Sequence, residues 1–234
     1  MKIAIGINGA KGRMGRALRK AILKDSETFL TYAHDVKLEG TDTNTLCETS
    51  DVVIDFSSSK GCEELLHAAL SNNKSRLLIC TTGLSKEQMK NLKDASLQIP
   101  ILYAANTSIG ASLITKLSHV ALQTLGGKEF DIEVVDIHHK SKQDDPSGTA
   151  LMIEEALLDS NNHTTKITPK VHFTSIRGGQ VVGEHRIMFL GNQEEITISH
   201  KVTDRSPFAK GALNAAKWLA KQSPGRLYKI QDIF

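Results

Sequence analysis

Residues 136–150 read DIHHKSKQDDPSGTA, and no other stretch of the chain gathers so many groups able to move a proton or hold an anion. His138 and His139 can exchange protons near neutral pH without a large pKa shift. Lys142 sits on the same loop and can neutralise a carboxylate or help deliver a proton. Asp136 and Asp144 are placed to orient neighbours, and Lys140 reads as a solvated charge. If 130–139 is a strand, side-chain alternation puts Phe130, Ile132, Val134, Asp136 and His138 on one face. His139 then points the other way unless the strand ends or bulges first. The DPSGT that follows reads as a helix entry, with Asp145 at the N-cap and Pro146 at the first helical position. That arrangement leaves the N–H groups of Ser147, Gly148 and Thr149 to meet a carboxylate or phosphate. Alone, DPSGT reads more simply as a well-capped helix. Five residues after His-His-x-x-Lys, it reads as the anion half of an active site whose other half is a proton source.

A second glycine-rich signal lies near the amino terminus. NGAKGRMG spaces Gly9, Gly12 and Gly15 between an apolar strand, KIAIGI, and a helical pattern with Met14, Ala17, Leu18, Ala21 and Ile22 on one stripe. Glycines there permit a tight turn and a close approach of backbone to pyrophosphate at a helix amino terminus. Asp35 follows at the end of the next strand, at the spacing of an acid that binds a ribose hydroxyl. Arg13 adds a guanidinium near the phosphates. Asp35 favours an unmodified ribose and Lys37 could meet a 2′-phosphate, so the residues leave NADH and NADPH both open.

Elements that position these residues follow from the hydrophobic pattern. Strands over 28–35, 51–57, 76–83 and 99–106 alternate with helices around Leu65–Leu70 and SKEQMKNLKDAS, the order of a doubly wound parallel sheet. After residue 107 the order changes. A long helix over 108–126, with Leu113, Leu117, Val120 and Ala121 on one side, precedes the 130–139 strand. A helix from Ser147 to about Asp159 and three strands follow, the last two joined across Gly191-Asn192 as a hairpin. The expected fold is therefore α/β: a Rossmann-type doubly wound parallel sheet plus a second α+β domain with a mixed or antiparallel sheet. A last helix, SPFAKGALNAAKWLAKQ, places Phe208, Ala212, Ala215 and Leu219 on one face.

Composition narrows the function classes. Of 234 residues, 40% are hydrophobic and 24% charged, as in a globular enzyme, and a net charge of +3 without a basic block argues against a nucleic-acid partner. No apolar run is long enough for a bilayer. Cys47, Cys62 and Cys80 are widely spaced, which points to a reducing, cytoplasmic setting without disulfides or structural zinc. His138 and His139 are not expected to share a metal, because neighbours on a strand face opposite ways and no third His or Cys lies nearby.

These motifs resemble the 4-hydroxy-tetrahydrodipicolinate reductase (dihydrodipicolinate reductase) family of lysine and diaminopimelate biosynthesis. GAKGRMG, VIDFS, CTTG, AANTSIG, GEHRIMF and RSPFAKGALNAAKWL each resemble a family segment, and HHKSKQDDPSGTA is the most specific of them. The resemblance spans nearly the whole chain. It implies that His138 is the general acid/base and Lys142 the second proton donor. It further implies that His139, Lys142, Ser147, Gly148 and Thr149 hold the carboxylates of a small cyclic dicarboxylate. By the same resemblance NADH or NADPH would contact Gly9, Ala10, Lys11, Gly12, Arg13, Met14, Asp35, Cys80, Thr81, Thr82, Ala104, Ala105, Asn106 and Thr107. The implied organisation is a dinucleotide-binding domain, 1–107 completed by 205–234, and a substrate-binding domain, 108–204, that assembles a homotetramer. Cys80 replaces a usual Gly, Thr107 a usual Phe, and Val36 an Arg that often accompanies NADPH. Sugar or homoserine dehydrogenases also pair two domains on a nicotinamide cofactor, and a dinucleotide-binding redox sensor would share the first domain; neither requires HHxxK followed by PSGT.

Overall fold

The computed structural model describes residues 2–125, 130–158 and 170–233. The chain divides into two compact units, Met1–Ser108 with Arg205–Phe234, and Ile109–Asp204. The first opens with β1 (Ile3–Asn8), α1 (Arg13–Ile22), β2 (Thr28–His34), α2 (Thr43–Thr49), β3 (Val52–Asp55), α3 (Ser59–Asn72), β4 (Arg76–Ile79), α4 (Lys86–Ala95) and β5 (Ile101–Tyr103). The second holds α5 (Ile109–Leu125), β6 (Asp131–His138), α6 (Gly148–Leu158), β7 (Val171–Arg177), β8 (Gly183–Leu190) and β9 (Glu195–Val202). The chain then returns to the first unit with α7 (Ser206–Leu219), β10 (Leu227–Lys229) and a 3-10 turn at Ile230–Ile233.

The first unit is built on a parallel six-stranded sheet in the order β10-β5-β4-β3-β1-β2. Its central strands are continuous apolar runs because both faces are covered; Val52, Val53 and Ile54 on β3 and Leu77, Leu78 and Ile79 on β4 are fully buried. Helices α2, α3 and α4 contribute Leu46, Leu65, Leu66 and Leu92 to one core with β3, β4 and β5. Their entries are capped by short polar side chains: Asp42 accepts from Thr45 N–H, Ser58 from Gly61 N–H, and Ser85 forms a reciprocal capping box with Gln88. Helix α7 packs against α1, β3 and β4, and β10 extends the sheet beyond β5. The strand order reverses direction between β1 and β3, the switch point at which such sheets form a crevice.

The second unit has a mixed sheet, β7-β6-β8-β9, in which β6 runs parallel to β7 and β8 antiparallel to both β6 and β9. The β8–β9 hairpin closes over residues 191–194, with Gly191 N–H donating to Glu194 C=O. Ile132 and Val134 of β6 and Ile187 and Phe189 of β8 meet Ile114 and Leu122 of α5 and Ala150, Ile153 and Leu157 of α6 in one core. The α5 stripe is in register but turns outward: Leu113, Leu117 and Val120 are 53%, 44% and 55% exposed, while Ala111, Ile114, Ser118 and Leu122 are buried. The α6 helix is described to Leu158, and Asp159, where the sequence pattern ends it, lies outside the described residues.

Candidate active site

Asp136 is the centre of the second unit's polar cluster. It is wholly buried on β6, and each carboxylate oxygen meets two groups. Oδ1 lies 2.6 Å from His138 Nδ1 and 3.4 Å from His185 Nε2. Oδ2 accepts from Ser147 N–H at 2.7 Å and from Arg177 Nη2 at 3.0 Å. The His138 contact has the distance of an ion pair but does not meet the geometry of a regular hydrogen bond. Sheet register explains the cluster. Asp136 faces His185 across the antiparallel β6–β8 pair, and His138 faces Arg177 across the parallel β6–β7 pair.

Burial alone raises the Asp136 pKa, but the close imidazoles of His138 and His185, the hydrogen bond from Ser147 N–H and the charge on His138 hold the carboxyl well below the usual range. His138 is pulled the other way. Desolvation lowers its pKa below that of an ordinary imidazole, Asp136 opposes this through contact and charge, and the charges of His185 and Lys142 lower it further. The His138 and His185 rings meet edge to face, with centroids 5.2 Å apart.

Around this centre the loop is tied down residue by residue. Arg177 Nη1 donates to the Asp136 carbonyl and Nη2 to the Asp144 carbonyl, pinning the 144–145 segment against β6. Lys142 Nζ pairs with Asp144 Oδ2 at 2.8 Å, and Lys142 N–H donates to the His139 carbonyl. His139 is buried, and its Nδ1 lies 3.0 Å from Ser141 Oγ. Ser141 is therefore a partner of that ring, whereas Lys140 is exposed as expected.

The entry of α6 differs from the sequence expectation. The Asp145–Pro146 bond is cis, and the helix begins at Gly148. Ser147 is the N-cap: its carbonyl accepts from Leu151 N–H and its hydroxyl from Ala150 N–H. The Ser147 N–H is not available to a ligand, because Asp136 takes it, and Ser147 Oγ also lies 3.1 Å from His185 Nε2. Gly148 and Thr149 remain at the amino end of the helix, where the dipole favours an anion.

Asp136, His138 and His185 together form a group with metal-ligand donor types, a combination that local spacing could not suggest. The 2.6 Å between Asp136 Oδ1 and His138 Nδ1 is shorter than the roughly 3.3 Å between two donors bound tetrahedrally to one zinc ion. Arg177 already supplies Asp136 with a cation.

In the first unit the glycine turn lies at the switch point. Gly9 has φ +84, and a Cβ there would sit 2.5 Å from the Phe56 carbonyl oxygen; a Cβ on Gly15 would strike Gly9 O and Ala10 Cα. Helix α1 starts after Gly12 with no side-chain cap, and among the described residues no side chain accepts from the Arg13 or Met14 N–H. Close backbone approach with uncapped N–H groups fits a pyrophosphate. Asp35 is nearly buried and ties the turn to the end of β2: Oδ2 accepts from Lys11 N–H at 2.8 Å and Oδ1 from Lys37 N–H at 3.0 Å.

Beside the turn lies an acid that motif reading overlooked. Asp55 is fully buried and accepts from Asn8 Nδ2, Ser57 Oγ and Thr81 Oγ1, so one carboxyl joins the ends of β1, β3 and β4. Burial raises its pKa, with hydrogen bonds from Ser57 and Thr81 opposing. Cys80 is buried beside it, and desolvation drives its thiol pKa far up. Ala104 N–H donates to Ile79 C=O, and Asn106 Oδ1 accepts from Ser108 N–H. Thr107 is almost wholly buried, its hydroxyl donating to the Phe208 carbonyl and its own carbonyl packed against Gly211 of α7. Thr82 lies on the loop after β4, and Ala105 in the turn after β5.

A Rossmann-type sheet with an uncapped glycine turn at its switch point, accompanied by a buried imidazole–carboxylate cluster on a second unit, defines a nicotinamide-dependent oxidoreductase. Residues 3–107 match the family model described as dihydrodipicolinate reductase, N-terminus, and residues 110–234 the model for its C-terminus. Among curated proteins, the 4-hydroxy-tetrahydrodipicolinate reductase of Rickettsia bellii is 40% identical, covering 100% of this chain and 95% of its own, and that of Campylobacter lari is 38% identical over 98% of each. The chain belongs to the dihydrodipicolinate reductase family. A dipicolinate-bound dihydrodipicolinate reductase from Paenisporosarcina sp. TG-14 shares the fold over 100% of both chains, with a TM-score of 0.73 at 22% identity. GenD2 from gentamicin A biosynthesis, solved with NAD, shares it at a TM-score of 0.71 and 9% identity over 99% of this chain and 90% of its own.

Proposed function

We propose that the protein reduces 4-hydroxy-tetrahydrodipicolinate, with loss of water, to tetrahydrodipicolinate at the expense of NADH or NADPH. The observation that carries the reading is the Asp136–His138 pair with Ser147 held at the head of α6, a proton source and an anion-favouring helix end joined through one carboxylate. When bound, the nicotinamide cofactor supplies the hydride. The first unit's residues bind it: the turn Gly9–Met14 through main-chain N–H groups, Asp35 at the ribose, and the 80–82 and 104–107 segments along the crevice. Cys80 and Thr107 are buried, so their share is main-chain contact and support of the crevice. In the second unit His138 delivers the proton that hydride addition requires. Lys142 exchanges its Asp144 partner for a substrate carboxylate and supports that proton transfer. His139, Gly148, Thr149 and the Ser147 hydroxyl complete the dicarboxylate site and fix the substrate's orientation.

Both cofactors remain in the proposal. Asp35 supports NADH, and Lys11 and Lys37, whose N–H groups flank Asp35, supply cations for a 2′-phosphate. A homotetramer assembled through the second unit also belongs to it, supported by the outward apolar residues Leu113, Leu117, Val120 and Ile176. Light scattering of the purified protein reads that state directly. Oxidation of NADH and of NADPH, followed with and without the freshly generated dicarboxylate, tests the reaction. Substrate-dependent oxidation is expected; cofactor binding without it would turn the reading toward a dinucleotide sensor.

A further inference from the structure

Proton delivery by His138 is the reading on which the inference rests, and it specifies neither the ring nitrogen that acts nor the group that holds the ring. We propose that Asp136 is the positioning residue for His138, holding Nδ1 so that Nε2 is the delivering atom, and that Gly183 exists to keep the space at Nε2 clear.

The two residues share a face because they lie two apart on β6, and the contact is 2.6 Å. The carboxylate cannot swing away, since its second oxygen is held by Ser147 N–H from α6 and Arg177 Nη2 from β7. His185 from β8 approaches the same oxygen as His138 and braces the His138 ring edge to face. A carboxylate facing Nδ1 selects the neutral tautomer protonated there, which leaves Nε2 to accept and pass on the mobile proton.

Gly183 points to the same atom from the other side. A Cβ on Gly183 would lie 3.1 Å from His138 Nε2 and 3.5 Å from its Cδ2. Gly183 opens a regular strand and is not among the residues with positive φ, so the backbone does not demand glycine. What the position needs is the absence of a side chain.

The charged and titratable groups facing His138 are Asp136 from its own strand, His185 from β8, and Lys142 from the following loop. Arg177 of β7 sits on the far oxygen of Asp136, and His200 of β9 lies behind His185. Asp136 is the only anion in this set, so neutralising it makes His138 easier to deprotonate.

Three measurements test the proposal on the full chain. In Asp136→Asn, kcat with saturating cofactor is expected to fall on the order of tenfold or more at neutral pH. The basic limb of its pH profile should move down by about one unit, because the cationic imidazole has lost its counter-charge. A fall in kcat with the limb unmoved marks a merely structural residue and overturns the positioning role, as does an unchanged kcat. Gly183→Ala, which alters no charge, should lower kcat and leave the KM for the cofactor unchanged; wild-type kcat in this variant removes Gly183 from the proposal. The 15N shifts of the neutral His138 ring in the wild-type protein need no variant and decide the matter if Asp136→Asn does not fold. Protonated Nδ1 is expected, and a ring protonated at Nε2 overturns the assignment. If the wild-type protein fails to oxidise either cofactor with substrate, the reductase reading falls while the tautomer result is unaffected.

Discussion

His138 and Lys142 differ in how their charge is managed, and that difference predicts behaviour. Lys142 already has an anion, Asp144, which a substrate carboxylate would displace or share under the proposed function. His138 has its pKa lowered by burial, so near neutral pH the free protein holds it mainly as neutral imidazole. An incoming dicarboxylate favours the cation, so binding should take up a proton, and affinity should weaken as pH rises through the His138 pKa. Calorimetry of dipicolinate binding in buffers of different ionisation enthalpy reads this directly; an enthalpy independent of buffer would refute it. Replacing His138 by Ala is expected to lower kcat by about two to four orders of magnitude, the usual worth of a general acid, in steady-state assays with saturating cofactor. The local motif made both residues legible, because proton donors and a helix entry are adjacent in the chain. Arg177 and His185 were not, since they reach Asp136 only through strand register, 41 and 49 positions further along the sequence. GEHRIMF held the second of them in plain view, but its alternating pattern explains a strand equally well.

Helix entries are where the sequence misled in detail while remaining right in kind. DPSGT does open α6, but the cap falls on Ser147, because Asp136 captures that residue's N–H from a neighbouring strand. A tertiary partner thus moved the cap two residues beyond the one local rules select. At α1 the local rules sufficed, because glycine spacing and the strand before it determine the turn. Gly15→Ala tests that turn: the added methyl strikes Gly9 O and Ala10 Cα, both main chain and unable to yield cheaply. The expected cost is about 1–3 kcal/mol in thermal or denaturant unfolding. NADH binding, followed by nicotinamide fluorescence, should weaken with it. The α5 stripe shows the limit of periodicity, which finds an apolar face but does not say whether the chain's own core covers it.

At the scale of the molecule, the first unit is made from two separated stretches of chain, and the second from one. The strand–helix alternation exposed the strands of the parallel sheet through β5, though not their order across it. It could not place β10, three residues long and far along the chain, at the open edge beside β5. Truncation after Asp204 removes α7 and β10, taking the buried faces of Ala209, Ala212, Ala215, Ala216 and Leu219 from the first unit. The expected result is loss of cofactor binding and rapid proteolysis of residues 2–108, with the second unit's core spared; equal protease resistance of both units would contradict it. The same interleaving sets an order of events during synthesis. A nascent chain at residue 204 has every residue of the second unit, whereas the first still lacks a helix and an edge strand. Until residues 205–233 follow, the apolar flank that awaits α7 stays uncovered, so the first unit is completed only after the second.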